Sequence, residues 1–313
     1  MRVFVTGASG WIGSAVVPEL IGAGHQVVGL ARSDASAAAL AEAGAEVQRG
    51  TLDDLDVLRS TAAASDGVIH LIHLAFKHDI AFTGDFQGAA DADRRAIDTF
   101  GEALAGSHRP FVIASGMLGV APGRIATERD GQATGTAEPV IGGVQARQTN
   151  AHATVALASR DIRSSVVRLP PTVHGDGDNG FMAMLVAIAR DKGASAYVGD
   201  GANRWPATHR LDAAHLFRLA LEQAPAGSTL HPIAEEGVPI RAVAEVIGRH
   251  LDLPVVSVSA EDAAGHFGWL GHPLAVDSPA SGALTRELLG WQPTHPGLID
   301  DLEKGHYFHT QSA

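Results

Sequence analysis

The feature that most constrains this chain is an eight-residue run, Thr6-Gly7-Ala8-Ser9-Gly10-Trp11-Ile12-Gly13, set between a short apolar stretch and a helical one. Each glycine has its own task in a turn of this kind. Gly7 takes the tight bend, Gly10 lets a pyrophosphate approach the backbone, and Gly13 lets the helix pack close to the strand. The amides that open the helix then face the negative charge. A glycine run carries this meaning only between a strand and a helix inside a βαβ unit, and the flanking pattern supplies that setting. Val3–Thr6 reads as a strand, Trp11–Ala23 as a helix and Gln26–Leu30 as a second strand. Strands at Glu46–Gln48, Val68–Leu74, Phe111–Ala114 and Ser164–Leu169 then alternate with helices near Ser36–Ala43, Leu55–Ala63, Asp91–Ala105 and Arg147–Ser159. The strands are apolar nearly throughout, as in a parallel sheet covered on both faces. The expectation is an α/β chain with a doubly wound parallel sheet.

At 313 residues the chain is long enough for such a sheet and a smaller lobe besides. Residues 1–170 are expected to form the dinucleotide-binding Rossmann domain. Residues 171–313 are expected to form mainly a substrate lobe, partly returning to the main sheet. Residues 116–146 lack periodicity, and a connection that long is usually functional or mobile. The net charge of −12 and the scattered Lys and Arg argue against a nucleic-acid partner. With no cysteine, thiol nucleophiles, disulfides and thiolate zinc sites are excluded. Sixteen histidines invite a metal reading, but His70 and His73 fall on opposite strand faces and His306 and His309 have no acidic partner placed with them. No metal is expected. No segment reaches the roughly 18 apolar residues of a membrane span, and the start of the chain is no signal peptide. A cytoplasmic protein without membrane attachment is expected.

Which dinucleotide binds depends on the end of the second strand. An NAD site usually offers Asp or Glu there, about 20 residues beyond the glycines. This chain offers Leu30-Ala31-Arg32-Ser33, so Arg32 and Ser33 point to the 2′-phosphate of NADP. Asp34 stands close by and keeps NAD as the second choice.

With these residues in view, the sequence resembles the short-chain dehydrogenase/reductase superfamily in its extended, epimerase/dehydratase-like form. Thr6–Gly13 matches the extended glycine motif. Gly50-Thr51-Leu52 stands where the family has an adenine-contacting Gly-Asp-hydrophobic triplet, of which only the Leu52 contact carries over. His73-Leu74-Ala75 resembles the fourth-strand segment beside the cofactor, and Ile113-Ala114-Ser115-Gly116 the strand end that holds a catalytic Ser. Arg168-Leu169-Pro170-Pro171-Thr172-Val173-His174-Gly175 resembles the segment near the nicotinamide, with His174 in a Tyr slot. Val198–Gly201, His209–Asp212 and Glu287–Pro293 match later family motifs. The resemblance implies that Thr6, Gly7, Ser9, Gly10, Trp11, Ile12, Gly13, Leu52, Leu74, Ala75 and Pro170 contact the cofactor. It also implies a homodimer.

One departure matters more than the matches. The family usually pairs Tyr with Lys four residues on, yet the only tyrosines are Tyr197 and Tyr307, and no Tyr precedes a Lys at that spacing. Counting back from Arg168 puts Gly143 in the Tyr slot and Arg147 in the Lys slot. Arg147 can hold the nicotinamide ribose, but it stays protonated and is a poor proton shuttle. The catalytic candidates are therefore Ser115, Arg147 and His174. Ser115 either orients an acceptor or bonds nearby backbone, and His174 either exchanges a proton at the cleft mouth or lines it. Ser115, His174, Phe181, Arg204 and Trp205 are candidates for holding a small-molecule substrate, Arg204 and Trp205 by gripping a carboxylate or an aromatic ring through charge and stacking, with domain packing the alternative for Trp205. His152, Phe267 and Trp269 read more readily as structural. The leading expectation is an NADP-dependent oxidoreductase acting on a small or medium carbonyl, imine or activated alkene. The alternatives are a non-catalytic dinucleotide-binding redox sensor and a sugar-nucleotide epimerase or dehydratase.

Overall fold

Runs of Val, Ile, Phe and Leu with no polar face must be covered on both sides, and the chain covers them with helices. The computed structural model describes residues 1–71, 86–121, 123–131 and 142–309. In chain order the first elements are β1 (Arg2–Thr6), α1 (Gly13–Gly22), β2 (Gln26–Ala31), α2 (Asp34–Glu42), β3 (Glu46–Arg49), α3 (Leu55–Ala63) and β4 (Gly67–His70). Then come α4 (Phe86–Leu104), β5 (Pro110–Gly116), α5 (Gly142–Ala156) and β6 (Arg163–Leu169). These six strands and β10 (Ser228–Leu230) form a seven-stranded sheet in the order β10-β6-β5-β4-β1-β2-β3, and every neighbouring pair is parallel. The order reverses between β1 and β4, and in sheets of this kind ligands bind outside the strand ends at such a point.

One face of the sheet packs Val3, Val5, Val27 and Val112 against Val16 and Leu20 of α1 and Leu40 of α2, and it also takes Phe217. The other face packs Phe4, Val28, Val68, Phe111 and Val166 against Leu58 of α3, Ile97 and Phe100 of α4 and Ala151 of α5. Phe100 meets Phe4 and Phe111 edge-on at centroid distances of 6.0 and 5.5 Å, a favoured arrangement for buried rings.

Beyond β6 the chain forms β7 (Thr172–His174), α6 (Phe181–Lys192), β8 (Ser195–Val198), β9 (Arg204–His209) and α7 (Arg210–Gln223). After β10 follow β11 (Glu235–Pro239), α8 (Ile240–Leu251) and β12 (Val255–Val258). Here β11-β9-β7 make a small sheet and β12-β8 another, around a core that includes Trp205, Leu185, Val243 and Leu270. α7 returns to the first face of the main sheet, where Ala213, Leu216 and Phe217 are buried.

The strands and helices follow the sequence pattern, and α3 spans the expected residues, while β4 ends at His70, short of the expected Leu74. α5 differs: it begins at Gly142, whereas the pattern starts a helix at Arg147. The glycine pair Gly142-Gly143 hides its start. Among the described residues, no helix is long and apolar enough to cross a membrane.

Candidate active site

The turn after β1 is built as the glycines require. Gly7 has φ 67°, and its carbonyl accepts from the Gly10 amide at 3.0 Å. A Cβ on Gly13 would lie 2.2 Å from that same carbonyl oxygen, so no larger residue fits without moving backbone. Ser9 and Gly10 are exposed, and among the described residues the amides of Trp11 and Ile12 donate to no protein group. An open loop with unbonded amides at a helix start fits a pyrophosphate. Trp11 has a second role that the motif does not announce. Its indole donates to the Val173 carbonyl at 2.9 Å, and the Arg210 guanidinium lies 4.5 Å over its ring. The turn is thereby pinned to β7 and α7.

At the end of β2, Arg32 is exposed. Ser33 caps α2, accepting from the Ser36 amide at 3.2 Å. The neighbouring carboxylate is not free. Asp34 pairs with Arg49 at 2.8 Å, and Arg49 also donates to the Ser33 carbonyl at 2.6 Å. Sequence reasoning missed Arg49. The signal was its place at the end of β3, because strand register sets Arg49 directly beside Ala31. Leu52 is buried beside Leu30 in the sheet core, and the Thr51 amide and hydroxyl both donate to Asp54. Leu74 and Ala75 lie outside the described residues, as does His73.

At the end of β5, Ser115 is 1% exposed, and its hydroxyl has no hydrogen-bond partner among the described residues. Arg147 reaches this strand end from α5. A Cβ on Gly116 would stand 2.7 Å from its Nη1, so glycine at 116 makes room for the guanidinium. Burial lowers the Arg147 pKa to about 10, and the nearby Asp93 charge opposes the shift. At neutral pH Arg147 is therefore a cation, able to stabilise negative charge but not to give up a proton. Pro170 is buried just after β6. In that strand Arg168, paired in register with Ser115, donates to the carbonyls of Asp130 at 2.5 Å and Gly131 at 3.2 Å. His152 also bonds the Gly131 carbonyl, a structural tie.

Three residues that sequence reasoning passed over lie behind this site. Thr6 bonds His70, His70 bonds Asp93, and Asn150 bonds Asp93. All four side chains are buried. The strand pattern weighed His70 only as a metal ligand, and nothing local marks Asp93 or Asn150, because Asp93 is 23 residues from His70 and 57 from Asn150 in sequence.

The second set of elements corrects several expectations. His174 does not sit at a cleft mouth. It is fully buried, with Nδ1 2.9 Å from Asp301 and its ring edge-on to His209. Arg204 is already matched to a carboxylate, with Nε and Nη2 donating to Asp277 at 3.1 and 3.0 Å. Trp205 is fully buried in the core, its indole donating to the Val276 carbonyl at 3.2 Å. Phe181 packs against Trp205 and Trp269, and Phe267 is a core residue. Tyr307 donates to Asp178 at 2.9 Å, and burial pushes its pKa up. What the structure brings together is Thr6–Gly13, Ser115, Gly116 and Arg147 at the strand ends. His174, Arg204 and Trp205 have partners of their own elsewhere.

Comparison with known proteins agrees with this geometry. The family described as "NAD dependent epimerase/dehydratase family" matches residues 3–85. An uncharacterised protein of Schizosaccharomyces pombe is 48% identical over 309 residues, covering 98% of this chain and all of the relative. The 3-diazoavenalumate denitrifying reductase of a Streptomyces species is 30% identical, covering 96% of this chain and 99% of the relative. Among solved structures, MoeE5 in complex with UDP-glucose and NAD superposes with TM-score 0.74 at 21% identity, covering 98% of this chain and 97% of that one. At that identity the likeness speaks for the fold.

Proposed function

Because this chain belongs to the NAD-dependent epimerase/dehydratase family of extended short-chain dehydrogenases/reductases and is an oxidoreductase of that type, we propose that it is an NADP-dependent reductase of a small or medium organic acceptor. The acceptor is a carbonyl, an imine, an activated alkene or a group of similar electron demand. The observation that carries this reading is an open turn with unbonded amides after β1, at the same edge of the parallel sheet as Ser115 and Arg147 at the end of β5. When bound, the nicotinamide supplies the hydride.

The chain's own residues do the rest. The Trp11 and Ile12 amides hold the pyrophosphate. Arg32 meets the 2′-phosphate, and Arg49 cancels the Asp34 charge that would repel it. The Ser115 hydroxyl, which has no partner among the described residues, would take up an acceptor oxygen or nitrogen, and Arg147 would stabilise charge developing there. Arg147 remains protonated, so the product's proton comes from solvent. The Streptomyces relative supports a site of this kind, since its name describes a reduction with loss of nitrogen, a reaction that needs no phenolic proton donor.

The test is coenzyme oxidation followed at the nicotinamide absorbance, over a panel of ketones, aldehydes, imines, enones and an arenediazonium salt. Turnover with NADPH is expected, and Arg147, whose pKa is about 10, keeps its charge from about pH 6 to 9. Tight coenzyme binding without turnover of any acceptor would count against the enzyme and for the sensor.

A further inference from the structure

A buried line of side chains crosses four elements directly behind the site. Thr6 Oγ1 lies 2.6 Å from His70 Nδ1, and His70 Nε2 lies 2.9 Å from Asp93 Oδ1. Asn150 Nδ2 donates to Asp93 Oδ2 at 2.7 Å and to the Ala90 carbonyl at 3.0 Å. Hydroxyl, imidazole and carboxylate follow one another as in a hydrolytic triad. Thr6 and His70 are as buried as Ser115, so burial alone does not decide what the line does. Its two ends do.

Its chemistry fixes its geometry. A carboxylate only accepts, so the His70 proton facing Asp93 sits on Nε2. The other ring nitrogen, Nδ1, is then taken up by the Thr6 hydroxyl. Buried polar groups satisfied in this way specify one arrangement of the elements that carry them. Here those elements are β1, β4, α4 and α5. The two ends are telling. Thr6 immediately precedes Gly7 of the coenzyme turn, while Asn150 stands one helical turn beyond Arg147 on α5. Asp93 also acts through its charge on Arg147, and a buried guanidinium is costly unless a nearby carboxylate offsets its desolvation.

We propose that Asp93 is the positioning residue of this site, holding Arg147 in fixed register with the coenzyme turn through His70 on one side and Asn150 on the other. What Arg147 does once positioned rests on the reductase reading. The tie itself is testable without it.

The experiment is a mutant cycle of Asp93→Asn, Arg147→Met and their combination, with the exchange Asp93→Asn/Asn150→Asp alongside. The exchange moves the carboxylate onto α5, three residues from Arg147, where it can still pair. In NADPH titrations, Asp93→Asn is expected to weaken binding about tenfold or more, and the combined variant to be no weaker than Arg147→Met. The exchange is expected to return to within about threefold of wild type. Undiminished binding in Asp93→Asn, or losses that simply add, would overturn the proposal. Urea midpoints of the same cycle in coenzyme-free protein give the second readout. Non-additive midpoints support the tie, and additive ones overturn it. A wild-type chain that binds neither coenzyme but shows non-additive midpoints would sink the reductase reading and leave the tie standing. If Asp93→Asn does not fold, the exchange decides. Folded and binding, it supports the proposal; folded and about tenfold weaker, it refutes it.

Discussion

Gly13 and Gly10 look equivalent in the motif and are not equivalent in the fold. A Cβ at 13 would fall 2.2 Å from the Gly7 oxygen and 2.6 Å from Ala8 backbone atoms, while one at 10 would meet only the Gly7 oxygen, at 3.2 Å. Backbone cannot yield as a side-chain tip can. Gly13→Ala is therefore expected to destabilise the protein by about 3 kcal/mol, and Gly10→Ala by about 1 kcal/mol. Urea unfolding of the two variants checks the order, and equal losses would contradict it. The same scale governs coenzyme choice. Arg32→Ala should weaken NADPH far more than NADH. Arg49→Ala should also weaken NADPH, because it leaves the Asp34 carboxylate uncompensated beside the 2′-phosphate. Parallel titrations with both coenzymes measure this, and equal losses for NADPH and NADH would remove Arg32 from the phosphate site.

At the scale of elements, Trp11 links the coenzyme turn to the smaller set of strands and helices. Replacing it by Phe keeps the ring that Arg210 covers but loses the bond to the Val173 carbonyl. That loss should cost about 1 kcal/mol and loosen the turn against β7, seen as faster amide exchange at Val173–Gly175. Exchange unchanged from wild type would show that the bond carries no coupling. Elements of this kind also mark where sequence reasoning succeeds and where it stops. The parallel strands and the glycine turn were legible because their signals are local: apolar runs, glycine spacing and a strand followed by a helix. The partners of His174 and Arg204 were not, since Asp301 lies 127 residues from His174 and Asp277 lies 73 from Arg204. A motif shows that a charged or aromatic residue is present, but long-range packing decides whether it faces a ligand or an internal partner. Trp205 went to the core for that reason, and Trp205→Ala should cost about 3–5 kcal/mol.

For the whole molecule, buried histidines set the response to acid. Burial lowers the pKa of His209 and of His231 to about 4, below the ordinary value of 6.5 that they regain on unfolding. Both are neutral in the fold, so their stability contribution is present above pH 6.5 and is lost as pH falls towards 4. Near pH 5 unfolding should take up a little under two protons from these groups, a slope of about 2 kcal/mol per pH unit. Asp178, whose pKa burial raises, offsets part of this at the acid end. Urea unfolding at pH 7, 6 and 5 measures the slope, and stability that holds constant over that range would contradict the burial of both rings.

The proposed function places a nicotinamide dinucleotide on Thr6–Gly13 and has the end of β2 select NADP. Fluorescence titration of the purified protein with NADPH and NADH tests it most directly, with Gly10→Val as the control. The expected result is NADPH binding about tenfold or more tighter than NADH, abolished in Gly10→Val by a side chain crowding the pyrophosphate. Binding of neither coenzyme, or NADPH affinity unchanged in Gly10→Val, would contradict it.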